Sequence, residues 1–241
     1  MCTVSFIPVK ETVIITSNRD EHISRPSAYK PCEELINGRR VLFPKDPKAG
    51  GTWFAVNEDN VIIVLLNGAF QRHTSKGNYA KSRGLILLDL ASHQNPKAYL
   101  EKIDLVNIEP FTVLVSQEGT LNELRWDGSE KFLKELDSSK EHIWSSATLY
   151  DKEVIRTRET LFADFISKGV VTKNDIIAFH SGSSDDLENG FIIERKNGLK
   201  TFSVTQAVLQ NDKISLEHLD LLNQTTHKID MNGNQLIHDL G

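Results

Sequence analysis

Five residues near the start of this 241-residue chain have the types and spacing of a nucleophilic site: Cys2 and the run Asn18-Arg19-Asp20-Glu21. Removal of Met1 would leave Cys2 with both a thiol and a free α-amine. An α-amine with a pKa of about 7.7–8.0 is partly unprotonated near neutral pH. One residue then supplies both nucleophile and general base. A guanidinium such as Arg19 beside the thiol favours the thiolate, and Asp20 would hold the amine or the guanidinium in place. The small side chain at position 2 permits Met1 removal by the usual processing enzyme. A cysteine at position 2 is ordinarily inert, however, and a polar run of this kind is ordinarily a solvated strand end. Spacing alone leaves catalysis and a structural role both open.

Two short strands must position this set. Thr3–Ile7 alternates around β-branched and aromatic residues, and Thr12–Thr16 is rich in Val, Ile and Thr. Pro8–Glu11 is the expected turn between them. A turn centred near Val9-Lys10 gives paired residues numbers that sum to 19 or 20. Cys2 then lies opposite Ser17 or Asn18, at roughly 5 Å between Cα atoms, and the polar run follows the second strand. Further strands are predicted at Trp53–Asn57, Val61–Leu66, Phe111–Ser116, Thr120–Trp126, His142–Ser145, Gly190–Glu194, Thr201–Gln210 and Lys213–Leu219. Helices are predicted at Tyr79–Ser92, Pro96–Lys102, Val154–Lys168 and Lys173–Ser181. Strands in adjacent runs, with the helices grouped between them, favour an α+β fold with antiparallel sheets over a doubly wound one. No linker or internal repeat divides residues 1–241, so one domain is expected.

Composition narrows the function classes. The chain is 39% hydrophobic and 25% charged, with a net charge of −5. Its densest basic spot is only Arg39-Arg40, so no nucleic-acid partner is expected. Met1–Pro8 lacks the basic and apolar stretches of a secretory signal. The longest apolar run, Val61–Leu66, is far too short to span a membrane. Cys2 and Cys32 are too few for a disulfide scaffold. A soluble cytoplasmic protein acting on a small molecule is the expectation. The histidines are scattered, without zinc spacing or a haem-attachment motif, so neither a metal nor a cofactor is expected. The segment His180–Asp186 reads as a solvated acidic loop.

Met1-Cys2-Thr3 with Ser17-Asn18-Arg19-Asp20-Glu21 resembles the signature of the transport and Golgi organisation protein 2 family. Ser24-Arg25-Pro26, Gly50-Gly51-Thr52-Trp53, Asn67 and Ser82-Arg83-Gly84 follow in that family's order. The resemblance is good from Met1 to about Leu85 and weak beyond. It implies a four-layer αββα sandwich like that of the N-terminal-nucleophile hydrolases, among them penicillin V acylases and bile-salt hydrolases. On that basis Cys2 is the nucleophile, Asn18, Arg19 and Asp20 surround it, and Asn67 holds the oxyanion. Trp53, Arg83, Ser146 and Phe202 are the candidate substrate contacts. Asn67-Gly68 reads equally well as a hairpin turn.

Two departures stand out. Ser146 takes the place where relatives tend to carry Asn, and Phe202 the place where they carry Arg. Two functions therefore stay open: an amidohydrolase acting on a small amide, and a non-catalytic carrier on the same fold. The resemblance links the latter to haem or to lipid and acyl-CoA handling.

Overall fold

β-Branched and aromatic residues at alternate positions build the strands that dominate the fold's regular structure, and the computed structural model describes residues 3–169, 171–182 and 186–231. The elements run β1 Thr3–Val9, β2 Thr12–His22, β3 Tyr29–Ile36, β4 Arg39–Lys45, β5 Phe54–Asn57, β6 Ile62–Asn67, α1 Arg83–Ala91 and α2 Pro96–Lys102. They continue as β7 Phe111–Gln117, β8 Thr120–Trp126, β9 Lys131–Leu136, β10 His142–Ser145, α3 Lys152–Ser167, α4 Lys173–Ser181, β11 Leu199–Gln210, β12 Lys213–Asp220 and β13 Thr225–Met231. One antiparallel sheet has the order β10-β1-β2-β11-β12-β13, and the other β3-β4-β5-β6-β7-β8-β9.

Strand alternation produces four layers. Val4, Phe6 and Ile15 from the first sheet meet Leu42, Phe54, Ile62, Val64 and Leu114 from the second, forming the inter-sheet core. On the outer face of the second sheet, Val41, Ile63, Leu65 and Val113 pack against Leu87 and Leu90 of α1 and Leu100 of α2. On the outer face of the first, Ile7 and Ile14 pack against Phe162 of α3 and Ile176 of α4. The result is the αββα sandwich.

Several elements differ from expectation. Thr3 pairs with Asn18 and Val9 with Thr12, so paired numbers sum to 21 rather than 19 or 20. The turn is Lys10-Glu11, and Lys10 takes a positive φ of 55° that closes a two-residue hairpin. β2 runs on through the polar cluster instead of ending before it. α1 starts at Arg83 rather than Tyr79, because Ser82 caps it by accepting from Leu85 N. Gly190–Glu194 forms no strand; Glu194 makes only an isolated bridge to Lys200. Asn67-Gly68 is not a hairpin turn, since α1 and α2 intervene between β6 and its partner β7. Four strands, β3, β4, β9 and β13, were not anticipated. Three of them are sheet edges, where exposed charge and even Pro31 are tolerated.

The start of α1 is locked to the loop before β5 by backbone contact. A Cβ at Gly51 would lie 2.5 Å from Gly84 C, and one at Gly84 would lie 2.8 Å from Thr52 O. Only glycine at both positions permits this approach. Gly51→Ala or Gly84→Ala should therefore cost about 1–3 kcal/mol through forced backbone displacement. Urea unfolding reads this directly, and unchanged midpoints would contradict the close packing.

Candidate functional site

The polar run is divided by the period of β2. Successive strand residues point to opposite faces, so the four side chains do not gather at one point. Asn18 and Asp20 face the layer of α3 and α4, while Arg19 and Glu21 face the inter-sheet side. There a cleft of about 330 Å³ opens between β2, the loops around β4 and β5, and the start of α1. Arg19, Trp53, Asn67 and Arg83 all line it.

Arg19 is 3% exposed and donates from Nη2 to Asp46 Oδ2 at 2.7 Å. Its guanidinium lies over the Trp53 ring, 4.7 Å from the centroid, and over the Phe202 ring at 5.4 Å. Burial lowers its pKa, partly countered by Glu21 and Asp46. Asp46 has the opposite balance. Burial pushes its carboxyl up, but the Ala49 N–H and the guanidinium groups of Arg25 and Arg19 outweigh it and hold the pKa below the usual carboxylate value. Its Oδ1 also accepts from Lys48 N and Ala49 N, at 2.9 and 2.8 Å. Arg19 Nη1 and Trp53 Nε1, both buried, have no partner among the described residues.

Asn67 ends β6, and its carboxamide enters no hydrogen bond among the described residues, while its backbone carbonyl accepts from Ser146 Oγ at 2.8 Å. Ser146 is itself 1% exposed and pairs with Thr148 Oγ1, so it braces the Asn67 backbone. Gly68 follows with φ +80°, and a Cβ there would meet Thr148 Cγ2 at 2.7 Å. Arg83 donates to Pro110 O at 3.1 Å and pairs with Glu109 at 3.0 Å. Burial lowers its pKa. Phe202 sits in a β-bulge of β11, where the register shifts between Thr201 and Ser203. That extra residue brings its ring under Arg19. Cys2 lies outside the described residues.

On the other face of β2 is a second polar network. Asn18 Nδ2 donates to His180 O and Phe191 O at 2.9 and 3.0 Å, and Asn18 Oδ1 contacts His180 Nδ1. His180 Nε2 meets Ser5 Oγ at 2.7 Å. Asp20 accepts from Thr201 Oγ1 at 2.6 Å and from Tyr150 OH at 2.9 Å. Arg158 reaches Thr3 Oγ1, the Gly190 carbonyl and Tyr150 OH. His180 is therefore a fully buried end of α4 and not part of a solvated loop; residues 183–185 are outside the described set. Sequence reasoning missed Asp46, Tyr150, Arg158 and His180. Asp46 precedes Pro47 and a double glycine, which signals a turn but gives no hint of an Arg19 partner. Among the described residues, no group of three or more His, Cys, Asp or Glu could hold a metal ion. No described helix is long and apolar enough to cross a membrane.

The family model described as Transport and Golgi organisation 2 matches residues 1–228. No curated protein sequence matches the chain. Among solved structures it is similar to a conjugated bile acid hydrolase mutant from Clostridium perfringens, with 12% identity, TM-score 0.55 and coverage of 97% of this chain and 93% of that one. It is also similar to the Caenorhabditis elegans ortholog of N-acylethanolamine-hydrolyzing acid amidase, with 11% identity, TM-score 0.60 and coverage of 86% and 92%. A third is penicillin V acylase from Agrobacterium tumefaciens, with 8% identity, TM-score 0.56 and coverage of 96% and 86%. At such identities the likeness establishes a shared fold.

Two outcomes follow from this electrostatic arrangement. Asp46→Asn removes the carboxylate bonded to the buried Arg19, leaving Glu21 at 3.9 Å as the remaining nearby carboxylate, and should cost up to about 3–5 kcal/mol in chemical unfolding; a loss near zero would mean that Arg19 is not held by the pair. The second concerns pH. Burial, reinforced by Arg158, pushes His180 down to about 3, and burial pushes His218 down to about 4. Both stay neutral when folded and charge when unfolded, so their stabilisation is full above about pH 6.5. It is lost as pH falls towards the folded values, at up to about 1.4 kcal/mol per pH unit per group. Unfolding free energies measured between pH 7 and pH 4 should fall steadily, and His180→Gln should flatten the slope.

Proposed function

The chain belongs to the Transport and Golgi organisation 2 family, and from that premise we propose that it is an N-terminal-cysteine amidohydrolase acting on a small-molecule amide. The observation that carries this reading is the pairing, in one cleft, of the buried Arg19 guanidinium with the Asn67 carboxamide, which enters no hydrogen bond among the described residues. Arg19 lies on the strand paired with β1, whose first residue, Thr3, directly follows Cys2 in sequence. The relatives of known structure support the reading by their names: a conjugated bile acid hydrolase, an N-acylethanolamine-hydrolyzing acid amidase and a penicillin V acylase. The bile acid hydrolase was solved as a cysteine-to-alanine mutant and as an arginine-to-leucine variant, and cysteine and arginine are the residue types proposed here.

In this mechanism the thiol of Cys2, with Met1 removed, gives its proton to the α-amine. The thiolate attacks the amide carbon, and Arg19 favours its charged form. Asn67 donates to the oxyanion of the tetrahedral intermediate. Collapse breaks the C–N bond, and the departing amine takes the proton from the α-ammonium group. Water then hydrolyses the thioester, releasing the acid and restoring the thiol. Asn18 and Asp20 act as positioning groups from the far face of β2, where each is tied to the α3–α4 side.

A second reading, a ligand carrier without turnover for haem or lipid and acyl-CoA cargo, is favoured by one observation. Phe202 stacks beneath Arg19 where the acylases are expected to place a second arginine.

Cys2→Ala should abolish release of amine from a panel of N-acyl amino acids, in protein shown by intact mass to lack Met1. Asn67→Ala should slow release by about 10²–10³ without lowering the melting temperature. Cys2 should also alkylate with iodoacetamide faster than Cys32. Burial and the neighbouring Glu34 raise the Cys32 thiol pKa, which makes it a slow internal control. Equal labelling rates, or no Cys2-dependent turnover, would favour the carrier.

A further inference from the structure

The start of α1 forms part of the cleft wall through Ser82, Arg83 and Gly84. Ser82 satisfies the Leu85 N–H, but a helix also leaves its first N–H groups, here those of Arg83 and Gly84, without partners inside the helix. No acidic residue stands in the first turn to offset the partial positive charge of that end. Alone, a helix start is a weak feature. The same cleft, however, is walled by Trp53 and Arg19, each 3% exposed, and Trp53 Nε1 and Arg19 Nη1 have no acceptor among the described residues. A buried donor left without an acceptor carries an uncompensated desolvation penalty. Two such donors in one cleft call for an acceptor that enters with a ligand.

The resident carboxylates do not serve as that acceptor. Asp46 is committed to Arg19 Nη2, Arg25 and two backbone N–H groups. Glu109 is shared between Arg83 and His73. Glu21 lies 3.9 Å from Arg19 Nη2 and 3.6 Å from Arg25. Lys81, the remaining cation of the cleft, pairs with Asp89.

We infer that the cleft contains an anion subsite that takes a carboxylate of the ligand, with Trp53 Nε1 and Arg19 Nη1 as its side-chain donors and the start of α1 as its positive wall. A guanidinium and a helix N-terminus select a charged oxygen over a neutral carbonyl. Three resident carboxylates favour a monoanion over a multiply charged group, which they would repel. Combined with the proposed hydrolysis, on which the inference rests for the rest of the ligand, this narrows the substrate class to amides that also bear a free carboxylate, such as N-acyl amino acids.

The test is calorimetric binding to the full chain carrying Cys2→Ala, so that no turnover interferes. The probes are hexanoylglycine and its neutral counterpart hexanoylglycinamide. The acid should bind at least about tenfold more tightly, the usual scale for a charge-assisted hydrogen bond. Trp53→Phe keeps a ring beneath Arg19 but removes the indole N–H. It should erase several-fold of that preference while leaving hexanoylglycinamide affinity and the melting temperature nearly unchanged. Arg19→Lys keeps the charge, removes Nη1 and should act in the same direction. Equal affinity for the two probes, or binding of neither, overturns the inference, as does a preference that Trp53→Phe leaves intact. Preference for the acid without turnover by the Cys2-containing protein would remove the hydrolase reading and leave the subsite standing. Turnover that ignores the carboxylate would do the reverse.

Discussion

Arg19 leaves β2 in one sheet and closes on Asp46, just past the end of β4 in the other, through a 2.7 Å contact. An ion pair withdrawn from water must recover its lost hydration from the geometry around it. Asp46 manages this with two backbone N–H groups and a second guanidinium, that of Arg25. Arg19 is sandwiched between two aromatic faces, contacts worth roughly 0.5–2 kcal/mol each. The pair does not merely decorate the join between the sheets. It fixes where the inter-sheet core stops and the polar cleft begins, because apolar packing cannot continue past a charge that needs partners.

The opposite face of β2 solves a different problem. Asn18 and Asp20 are buried under α3 and α4, and each polar atom they bring must be satisfied within the protein. The partners come from distant parts of the chain: the Phe191 carbonyl, Tyr150, Thr201, and the backbone carbonyl and ring Nδ1 of His180. Arg158 ties Thr3 to the Gly190 carbonyl, so the start of β1 is held from the helical side as firmly as the cleft is held from the sheet side. The site region is thus clamped between two polar networks joined through the backbone of β2 and, at Thr201-Phe202, that of β11.

Much of this was legible before any coordinates. The antiparallel α+β class was legible in the grouping of strands, the αββα sandwich was what the resemblance between Met1 and Leu85 implied, and the two later helices were expected at Val154–Lys168 and Lys173–Ser181. Of the four strands that escaped notice, β3, β9 and β13 carry Lys, Glu and Pro at the rims of the sheets, so their composition reads as loop. The one-residue error in the first hairpin came from Lys10, which takes a left-handed conformation that its residue type does not advertise. Asn18-Arg19-Asp20-Glu21 looked like a single cluster because sequence proximity hides strand alternation. The partners of Arg19, Asn18 and Thr3 lie 27, 162 and 155 residues away, at Asp46, His180 and Arg158. No local pattern encodes such distances.

The alternation of β2 gives the strand something like a reading frame. Substitutions along Thr12–Arg19 change one contact at a time, but a one-residue deletion there would exchange the two sides of everything downstream. Arg19 would be driven under the helices, with no carboxylate to meet it, while Asn18 and Asp20 turned towards the cleft. The neighbouring strand shows how a sheet absorbs an odd residue. β11 expels its register error as a bulge beside Phe202, and pairing resumes in phase on either side. Lineages that lengthen or shorten this region are therefore restricted to paired changes, or to changes that carry their own bulge, and the spacing between Thr12 and Arg19 should drift far less than the residues that fill it.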